Sequence, residues 1–317
     1  MKKYAFGVDV GGTTVKLGLF DEEGHVLDKW EIPTVKDNGG ALILSDIAES
    51  IRGKMKERGL SEGELAGIGI GVPGAVDDSG MLVSDAVNIG WKPFHIPEAL
   101  SAYINVPIKA ANDANAAAYG ELWRGGGKGC HSMVAVTLGT GVGGGIIIDG
   151  RIVTGAAGAG GEIGHIHIRD DEMEKCGCGN KGCLEQYASA TGIVRLAGRR
   201  LLEDQKPSVL REKELSAKTV FDAVKAGDEV AIEIAKRFGA CLGKGLAAVA
   251  NVVNPEMFVI GGGVSKAGEI LFDFIKPEYE KYAFPACRQT GFALAALGND
   301  AGIYGAAGLV LVGGING

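Results

Sequence analysis

The sequence lacks any uncharged apolar run of about 18 residues, the length that a membrane-spanning helix requires. A secretory signal is also missing. The chain starts with Met1-Lys2-Lys3, but Gly7, Asp9 and Gly11 interrupt the apolar stretch that follows before it reaches the length of a signal core. We therefore expect a cytoplasmic protein with no membrane partner.

Basic residues are fewer than acidic residues. The sequence has 32 lysines and arginines, 39 aspartates and glutamates, and a net charge of -7. An acidic chain repels a phosphodiester backbone, so we expect no nucleic-acid partner. Small anionic ligands remain compatible with this charge because backbone amides bind phosphate without a basic surface. The Walker pattern G-x-x-x-x-G-K-[ST] is absent, so any phosphate site must be of another kind.

Glycine is the residue that the sequence has in excess, with 53 copies in 317 residues. These glycines have no three-residue period, which excludes a collagen-like fibre. They cluster after apolar, β-branched runs, and this distribution indicates turns at which the backbone approaches a ligand. A chain of this length is long enough for two domains.

One plan occurs twice along the chain: a strand, a turn of glycine and threonine, and a second strand. The strand pairs are predicted at 4–10 with 15–20, and at 133–138 with 145–149. The repetition indicates an internal duplication. Further strands alternate with helices, which is typical of an α/β fold. Helices are predicted after Asn38 up to Gly59, and at 113–123, 228–254 and 301–312.

The first glycine turn lies in Asp9-Val10-Gly11-Gly12-Thr13-Thr14. Its glycines expose backbone N–H groups and its threonines add hydroxyl donors, a combination that suits phosphate oxygens. The carboxylate of Asp9 is placed to hold a hydrated Mg²⁺ beside them. The alternative is an ordinary hairpin turn with an incidental aspartate.

The second glycine turn, predicted over 139–144, contains G-x-G-x-x-G at Gly139, Gly141 and Gly144, with Thr140 between the first two glycines. That pattern indicates, as an alternative, a dinucleotide-binding site and therefore a nicotinamide-dependent dehydrogenase. A dinucleotide fold requires a helix directly after the turn. Residues 145–150 are instead β-branched and indicate a strand, so we interpret the turn as a second phosphate-binding hairpin.

Asn112-Asp113 is predicted at the junction of a strand and a helix. Phosphorylation of a hydroxyl requires a base, and Asp113 would serve as one. We expect the helix N-terminus to keep its carboxylate ionised. The alternative is that Asp113 merely caps the helix.

Three of the six cysteines lie within eight residues, in Cys176-Gly177-Cys178-Gly179-Asn180-Lys181-Gly182-Cys183. In a reducing cytosol such a cluster indicates a metal before a disulfide. With one histidine it forms a Cys₃His set suited to tetrahedral Zn²⁺. His165 and His167 are both candidates for the histidine. The remaining cysteines are expected to be packing residues: Cys130, Cys241 and Cys287.

The two glycine hairpins, followed by Gly261-Gly262-Gly263 after a strand, resemble the two phosphate loops and the adenosine loop of the actin-like ATPase superfamily. The resemblance implies an α/β, two-lobed, ribonuclease H-like fold with duplicated hairpin-led domains. We expect a smaller domain at 1–113, joined by a C-terminal helix at 301–317. A larger domain at 114–300 would contain the zinc segment and a helical part.

Six segments in a fixed order resemble the ROK family (repressors, open reading frames and kinases) over nearly the whole chain. They are Asp9-Val10-Gly11-Gly12-Thr13, Gly71-Val72-Pro73-Gly74, Asn112-Asp113, Leu138-Gly139-Thr140-Gly141-Val142-Gly143, Glu162-Ile163-Gly164-His165, and the cysteine segment ending at Glu185. The resemblance implies a sugar kinase that uses ATP and Mg²⁺, which bind between the lobes.

The family resemblance also implies a role for each matching residue. Asp113 becomes the catalytic base, and the substrate contacts are Gly74, Asn112, Asp113, Glu162, His165 and Glu185. The ATP contacts are Asp9, Gly11, Gly12, Thr13, Gly139, Thr140, Gly141, Gly261, Gly262 and Gly263. The ligands of a structural Zn²⁺ are His165, Cys176, Cys178 and Cys183.

The substrate is less closely defined by the motifs than the reaction. The sequence as a whole resembles the bacterial glucokinases of the family, so we expect glucose to be phosphorylated at its 6-hydroxyl. The alternatives are kinases of fructose, mannose, allose or an N-acetyl amino sugar, use of polyphosphate as donor, and a non-catalytic sugar-binding regulator. Repressors of the family carry a DNA-binding segment before the Asp9 turn, which we do not expect here. The resemblance further implies a homodimer or homotetramer.

Overall fold

The computed structural model describes residues 2–313 of the chain. Its strands are β1 Tyr4–Val10, β2 Thr14–Asp21, β3 Val26–Pro33, β4 Leu65–Val72, β5 Met81–Leu82, β6 Phe94–His95, β7 Ile108–Asn112, β8 Met133–Leu138, β9 Val142–Ile148, β10 Arg151–Ile152, β11 Met257–Gly261 and β12 Gly291–Leu294. Its helices are α1 Asp37–Gly40, α2 Ile43–Arg58, α3 Ile96–Ser101, α4 Asp113–Arg124, α5 Glu185–Ala188, α6 Ala190–Glu203, α7 Ala217–Lys225, α8 Glu229–Val253, α9 Ile270–Tyr282 and α10 Ala301–Leu311.

The two large sheets repeat one topology. The first has the strand order β3-β2-β1-β4-β7, in which β1, β2 and β3 are antiparallel and β4 and β7 run parallel to β1. The second has the order β10-β9-β8-β11-β12, with β11 parallel to both β8 and β12. Each sheet therefore begins with a glycine-turn hairpin and continues with two parallel strands, which confirms the predicted duplication.

The chain divides into two compact units. Unit 1 contains residues up to His131, Gly145–Gly161 and the segment from Ala296 onward, and unit 2 contains Ser132–Gly144 and Glu162–Ala295. Unit 1 extends past the boundary predicted at residue 113 because α4 packs along α10. Residues 314–317 of the helix predicted at 301–317 lie outside the described residues.

Helix α10 lies directly on the backbone of the first sheet because glycines remove the intervening side chains. A Cβ on Gly7 of β1 would lie 2.0 Å from the carbonyl oxygen of Ile303, and one on Gly69 of β4 would lie 1.7 Å from that of Ala306. On the helix side, a Cβ on Gly305 would lie 1.6 Å from the carbonyl oxygen of Ala116 in α4. Real Cβ atoms do not approach this closely, so all three positions require glycine.

The predicted helix after Asn38 is α2, which buries Ile43, Ile47 and Ile51 against the first sheet and ends at Gly59 in the left-handed conformation. The helix predicted at 228–254 is α8, and it packs closely against α9. A Cβ on its Gly239 would lie 2.2 Å from the Phe274 carbonyl oxygen in α9. None of the helices within residues 2–313 is long and apolar enough to cross a membrane.

The glycine contacts of α10 predict a large difference between two glycine substitutions. We expect Gly69→Ala to lower the free energy of unfolding by at least about 2 kcal/mol, because the new methyl group must displace the α10 backbone. The control is Gly53→Ala on the exposed face of α2, where no atom lies within 4 Å of the new Cβ. That change should raise the free energy of unfolding by about 0.5–1 kcal/mol. Urea denaturation measures both values, and equal effects would contradict the packing described.

Candidate active site

The first glycine turn spans Gly11 to Thr13, between β1 and β2, and the amide of Gly11 donates to the carbonyl of Thr14 at 3.0 Å. Thr34, just after β3, holds the other side of the turn. Its hydroxyl donates to the Gly11 carbonyl at 2.7 Å, and its amide donates to the Thr13 carbonyl at 2.9 Å. The amides of Gly12 and Thr13 make no hydrogen bond with any residue in the described range. The turn therefore offers two free amide donors, while Thr34 engages the carbonyls of Gly11 and Thr13, an arrangement that suits an anion site.

Asp9 lies at the end of β1, and its carboxylate packs against the first turn of α10. A Cβ on Gly302 would lie 2.6 Å from the carboxylate carbon of Asp9, so glycine is required there. Burial, together with the neighbouring carboxylate of Asp113, raises the pKa of Asp9 to about 6, against the opposing effect of Lys16. Sequence reasoning missed Gly302, because only the packing of α10 reveals its contact with Asp9.

Asn112 and Asp113 form the junction of β7 and α4. The cap of α4 is Asn112, whose Oδ1 accepts from the amides of Ala114 at 3.0 Å and Asn115 at 3.2 Å. The alternative in which Asp113 caps the helix is therefore wrong. Asn112 Nδ2 donates to the Gly74 carbonyl at 2.9 Å and to Asp113 Oδ1 at 3.0 Å. One side chain thus brings three predicted substrate-contacting residues together.

The carboxylate of Asp113 has one oxygen engaged and one available. Its Oδ1 accepts from the Ala114 amide at 2.8 Å as well as from Asn112, whereas its Oδ2 accepts no hydrogen bond from the described residues. Burial raises the pKa of Asp113, and it outweighs the opposing hydrogen bonds from Ala114 and Asn112. The Ala114 amide at the helix N-terminus favours the ionised carboxylate, as expected, but it lowers the pKa by less than burial raises it. A raised pKa suits a general base, because it increases the affinity for the proton to be removed.

The second glycine turn spans Gly139 to Gly141 and is shorter than predicted, because β9 already begins at Val142. The amide of Gly139 donates to the Gly141 carbonyl at 3.0 Å. The remaining carbonyls of the turn accept hydrogen bonds from the start of α6. The Ala190 amide donates to the Gly139 carbonyl at 2.8 Å, and the Thr191 hydroxyl donates to the Thr140 carbonyl at 2.7 Å. The strand after the turn confirms the hairpin interpretation and excludes the helix that a dinucleotide fold requires.

The third glycine segment begins where β11 ends. Gly262 has a φ of +85°, and a Cβ on it would lie 2.5 Å from the Leu138 carbonyl oxygen of β8. This contact places Gly261–Gly263 beside the end of the strand that leads into the second turn. Gly263 borders a cavity of about 150 Å³ that is also lined by Phe221, Val264 and Lys266.

The three clustered cysteines and His165 converge. One ligand atom from each of His165, Cys176, Cys178 and Cys183 lies within 4.8 Å of the others, and no disulfide joins the cysteines. His167 turns away, and its ring nitrogens contact the Lys181 carbonyl and the Asp170 carboxylate, each at 2.8 Å. The two histidines separate because Ile163–His165 forms a 3₁₀ turn and not a strand.

The dimensions of this Cys₃His set fit a tetrahedral metal. The sulfurs of Cys178 and Cys183 are 3.7 Å apart, and Cys176 Sγ is 3.6 Å from His165 Nδ1. Zn–S bonds of about 2.3 Å in a tetrahedron place two sulfurs about 3.8 Å apart. Without a metal, burial and a hydrogen bond to Glu185 raise the pKa of the Cys176 thiol to about 12. A bound metal must therefore displace a proton from that thiol.

Glu185 connects the cysteine cluster to the second glycine turn. Its Oε1 lies 2.9 Å from Cys176 Sγ and 3.8 Å from His165 Nδ1. Its Oε2 accepts from the Val142 amide at 3.4 Å and lies 2.6 Å from the position of a Cβ on Gly141. Glu162 Oε2 is 3.7 Å from the opposite nitrogen of His165, Nε2. The remaining predicted sugar contacts therefore share one neighbourhood.

The structure thus gathers the predicted site residues into two groups, one in each unit. The group in unit 1 contains Asp9, Gly11, Gly12, Thr13, Gly74, Asn112 and Asp113. The group in unit 2 contains Gly139, Thr140, Gly141, Glu162, His165, Cys176, Cys178, Cys183, Glu185, Gly261, Gly262 and Gly263.

Comparison with known proteins agrees with this two-part arrangement of hairpin-led units. The model of the ROK family matches residues 5–312, and the chain belongs to that family. It is 44% identical to a glucokinase of Halalkalibacterium halodurans over 97% of this chain and 95% of the relative. It is 37% identical to a glucokinase of Thermotoga maritima over 96% of each chain.

A solved structure gives the same result. The crystal structure of a ROK family glucokinase from Streptomyces griseus in complex with glucose and AMPPNP is 34% identical in sequence. It matches with a TM-score of 0.71 over 96% of this chain and 98% of that chain.

The raised pKa of Asp9 predicts a pH dependence of stability in metal-free buffer. Between its ordinary pKa of 3.8 and about 6, the folded protein binds more protons at Asp9 than the unfolded chain does. The contribution of Asp9 to the free energy of unfolding therefore falls as the pH rises, by about 2 kcal/mol between about pH 4 and pH 7. Asp9→Asn should remove this decrease, as measured by urea denaturation at both pH values. The control is Asp273→Asn at an exposed position in α9, and parallel pH profiles for wild type and Asp9→Asn would refute the prediction.

Proposed function

We propose that this chain is an ATP-dependent glucose kinase that transfers the γ-phosphoryl group of ATP to the sugar 6-hydroxyl. The observation that carries the proposal is the free Oδ2 of Asp113, on a carboxyl group of raised pKa in the same unit as a turn with free amide donors. The glucokinases among its relatives support glucose as the substrate.

In this proposal Asp113 is the general base. Its Oδ1 is held by Asn112 and by the amide of Ala114, so the carboxyl group is fixed in orientation while Oδ2 remains available. That oxygen accepts the proton of the 6-hydroxyl as the hydroxyl oxygen attacks the γ-phosphorus and the bond to the β-phosphate oxygen breaks. Asn112 and the loop at Gly74 would orient the sugar beside it, together with Glu162, His165 and Glu185.

The phosphates of ATP would be held by backbone and hydroxyl donors of the glycine turns. Gly11, Gly12 and Thr13 supply these in unit 1, and Gly139, Thr140 and Gly141 supply them in unit 2. Asp9 would hold a hydrated Mg²⁺, which neutralises phosphate charge. The cavity beside Gly263, with the ring of Phe221 in its wall, supports an adenosine site at Gly261–Gly263.

The cysteine cluster would hold a structural Zn²⁺ through His165, Cys176, Cys178 and Cys183. Four protein ligands leave no open coordination position, so the metal would order the segment and activate no water. Through the contacts of Glu185 and His165, that order would extend to two proposed sugar contacts. The family resemblance also supports a homodimer or homotetramer in the cytoplasm.

The proposed reaction predicts ADP release from Mg-ATP that depends on glucose. We expect rapid turnover with glucose and little with fructose, mannose, allose or N-acetylglucosamine. Asp113→Asn should lower kcat by about 10²–10⁴-fold because the amide cannot accept the proton, while glucose binding measured by calorimetry is retained. Asp273→Asn serves as the matched control and should leave kcat unchanged. Turnover on another sugar would replace the substrate. If Asp113→Asn turned over at the wild-type rate, the base assignment would be overturned. If the wild-type protein turned over no sugar, a non-catalytic regulator would be favoured.

The cysteine cluster predicts zinc in the purified protein, at about one ion per chain by elemental analysis. His165→Ala should lose the metal, whereas His167→Ala should keep it, because the His167 ring bonds to Asp170 and Lys181 instead. Cys178→Ser should lose zinc and raise the KM for glucose by about tenfold, since the segment that carries Glu185 is then less ordered. Cys130→Ser is the control outside the cluster. Equal zinc content in the two histidine variants would refute the assignment.

A further inference from the structure

Both glycine turns are held in the same way. In each turn, two backbone carbonyls accept hydrogen bonds from donors in another segment of the same unit. In unit 1 both bonds come from Thr34, whose hydroxyl binds Gly11 and whose amide binds Thr13, at 2.7 and 2.9 Å. In unit 2 the Thr191 hydroxyl binds Thr140 at 2.7 Å, and the adjacent Ala190 amide binds Gly139 at 2.8 Å. Each turn thus receives one threonine hydroxyl bond and one backbone amide bond.

The segments that donate these hydrogen bonds differ between the two units. Thr34 is a buried residue that follows β3, whereas Thr191 is an exposed residue in the first turn of α6. The two threonines are therefore not equivalent positions of the duplicated hairpin. Two unrelated segments thus donate the same pair of hydrogen bonds, one pair to each turn. This recurrence indicates that the turns require these hydrogen bonds.

The physical requirement follows from the composition of the turns. Glycine-rich peptide units rotate easily, and each rotation exchanges an amide donor for a carbonyl acceptor on a given face. A carbonyl that faced a phosphate would repel it. A hydrogen bond that holds the carbonyl on the opposite face keeps the amide on the phosphate side before the ligand arrives, so binding requires less ordering.

An independent observation places a cation beside the first turn. The ammonium group of Lys36, two residues after Thr34, lies 3.9 Å from the position that a Cβ on Gly12 would take. The segment that donates hydrogen bonds to the carbonyls of the turn thus also places a cation beside Gly12. An ammonium group beside free amide donors is the environment that a phosphate favours.

We propose that Thr34 and Thr191 are positioning residues for the nucleotide phosphates, one for each turn. They act through the backbone of Gly11–Thr13 and Gly139–Gly141, and they make no contact with the phosphates themselves. This assignment rests on the proposed function, because it takes ATP as the ligand of both turns.

The test replaces each hydroxyl with a methyl group of similar shape, in Thr34→Val and Thr191→Val. Each variant loses one neutral hydrogen bond that orients the turn, so the KM for ATP and the Kd for ADP should each rise about 3- to 10-fold. The KM for glucose should stay within about twofold of the wild-type value, because no sugar contact is removed. Thr34→Ser and Thr191→Ser retain the hydroxyl and should restore the nucleotide constants. Calorimetric titration with ADP measures binding without turnover.

The outcomes separate this inference from the proposed function. Wild-type protein that neither binds ADP nor turns over would overturn both. Wild-type protein that binds ADP, with both valine variants unchanged in Kd and KM, would overturn the role of the threonines alone. A parallel rise in the constants for ATP and glucose, or a loss of stability that serine does not restore, would assign them a purely structural role. Since Thr34 is buried, the exposed Thr191 provides the variant with the smaller risk to folding.

Discussion

The direct contact of α10 with the backbone of the first sheet is the constraint on which the site in unit 1 depends. Gly7 and Gly69 remove the side chains that would otherwise separate helix and sheet, so the first turn of α10 reaches the end of β1 and packs on Asp9. The pKa of that carboxyl group rises because the helix excludes water from it. Packing that requires glycine thus sets the ionisation of a charged residue at the strand end.

In unit 2 a single carboxylate connects two kinds of chemistry. Glu185 touches the thiol of Cys176 with one oxygen and the amide of Val142 with the other. Glu185 therefore links the cysteine cluster to the second glycine turn, and it also lies beside His165. The buried Glu172, bound by Tyr187 and Arg195, ties the cysteine segment to α6. A loop with little regular structure is therefore held by polar contacts on both sides.

Much of the fold was predictable because it depends on local patterns. The strand pairs, the glycine turns and the convergence of the cysteines follow from periodicity and spacing. Three features did not follow, since each depends on contacts between distant positions. On spacing alone, the choice of His165 over His167 requires the 3₁₀ turn Ile163–His165, which has no distinct pattern. The raised pKa of Asp113 requires its burial, and the helix N-terminus alone indicated the opposite shift. The bonds of Thr34 to the first turn join segments about 20 residues apart that periodicity does not relate.

The division of unit 1 among three chain segments has a consequence for biosynthesis. Helix α10, which covers β1 and β4, is translated only after all of unit 2. During translation the apolar face of the first sheet and the carboxyl group of Asp9 are therefore without their final cover, while the strands and helices of unit 2 are already complete. The nascent chain carries an unfinished core until α10, which follows unit 2 in the chain, has been synthesised and closes it.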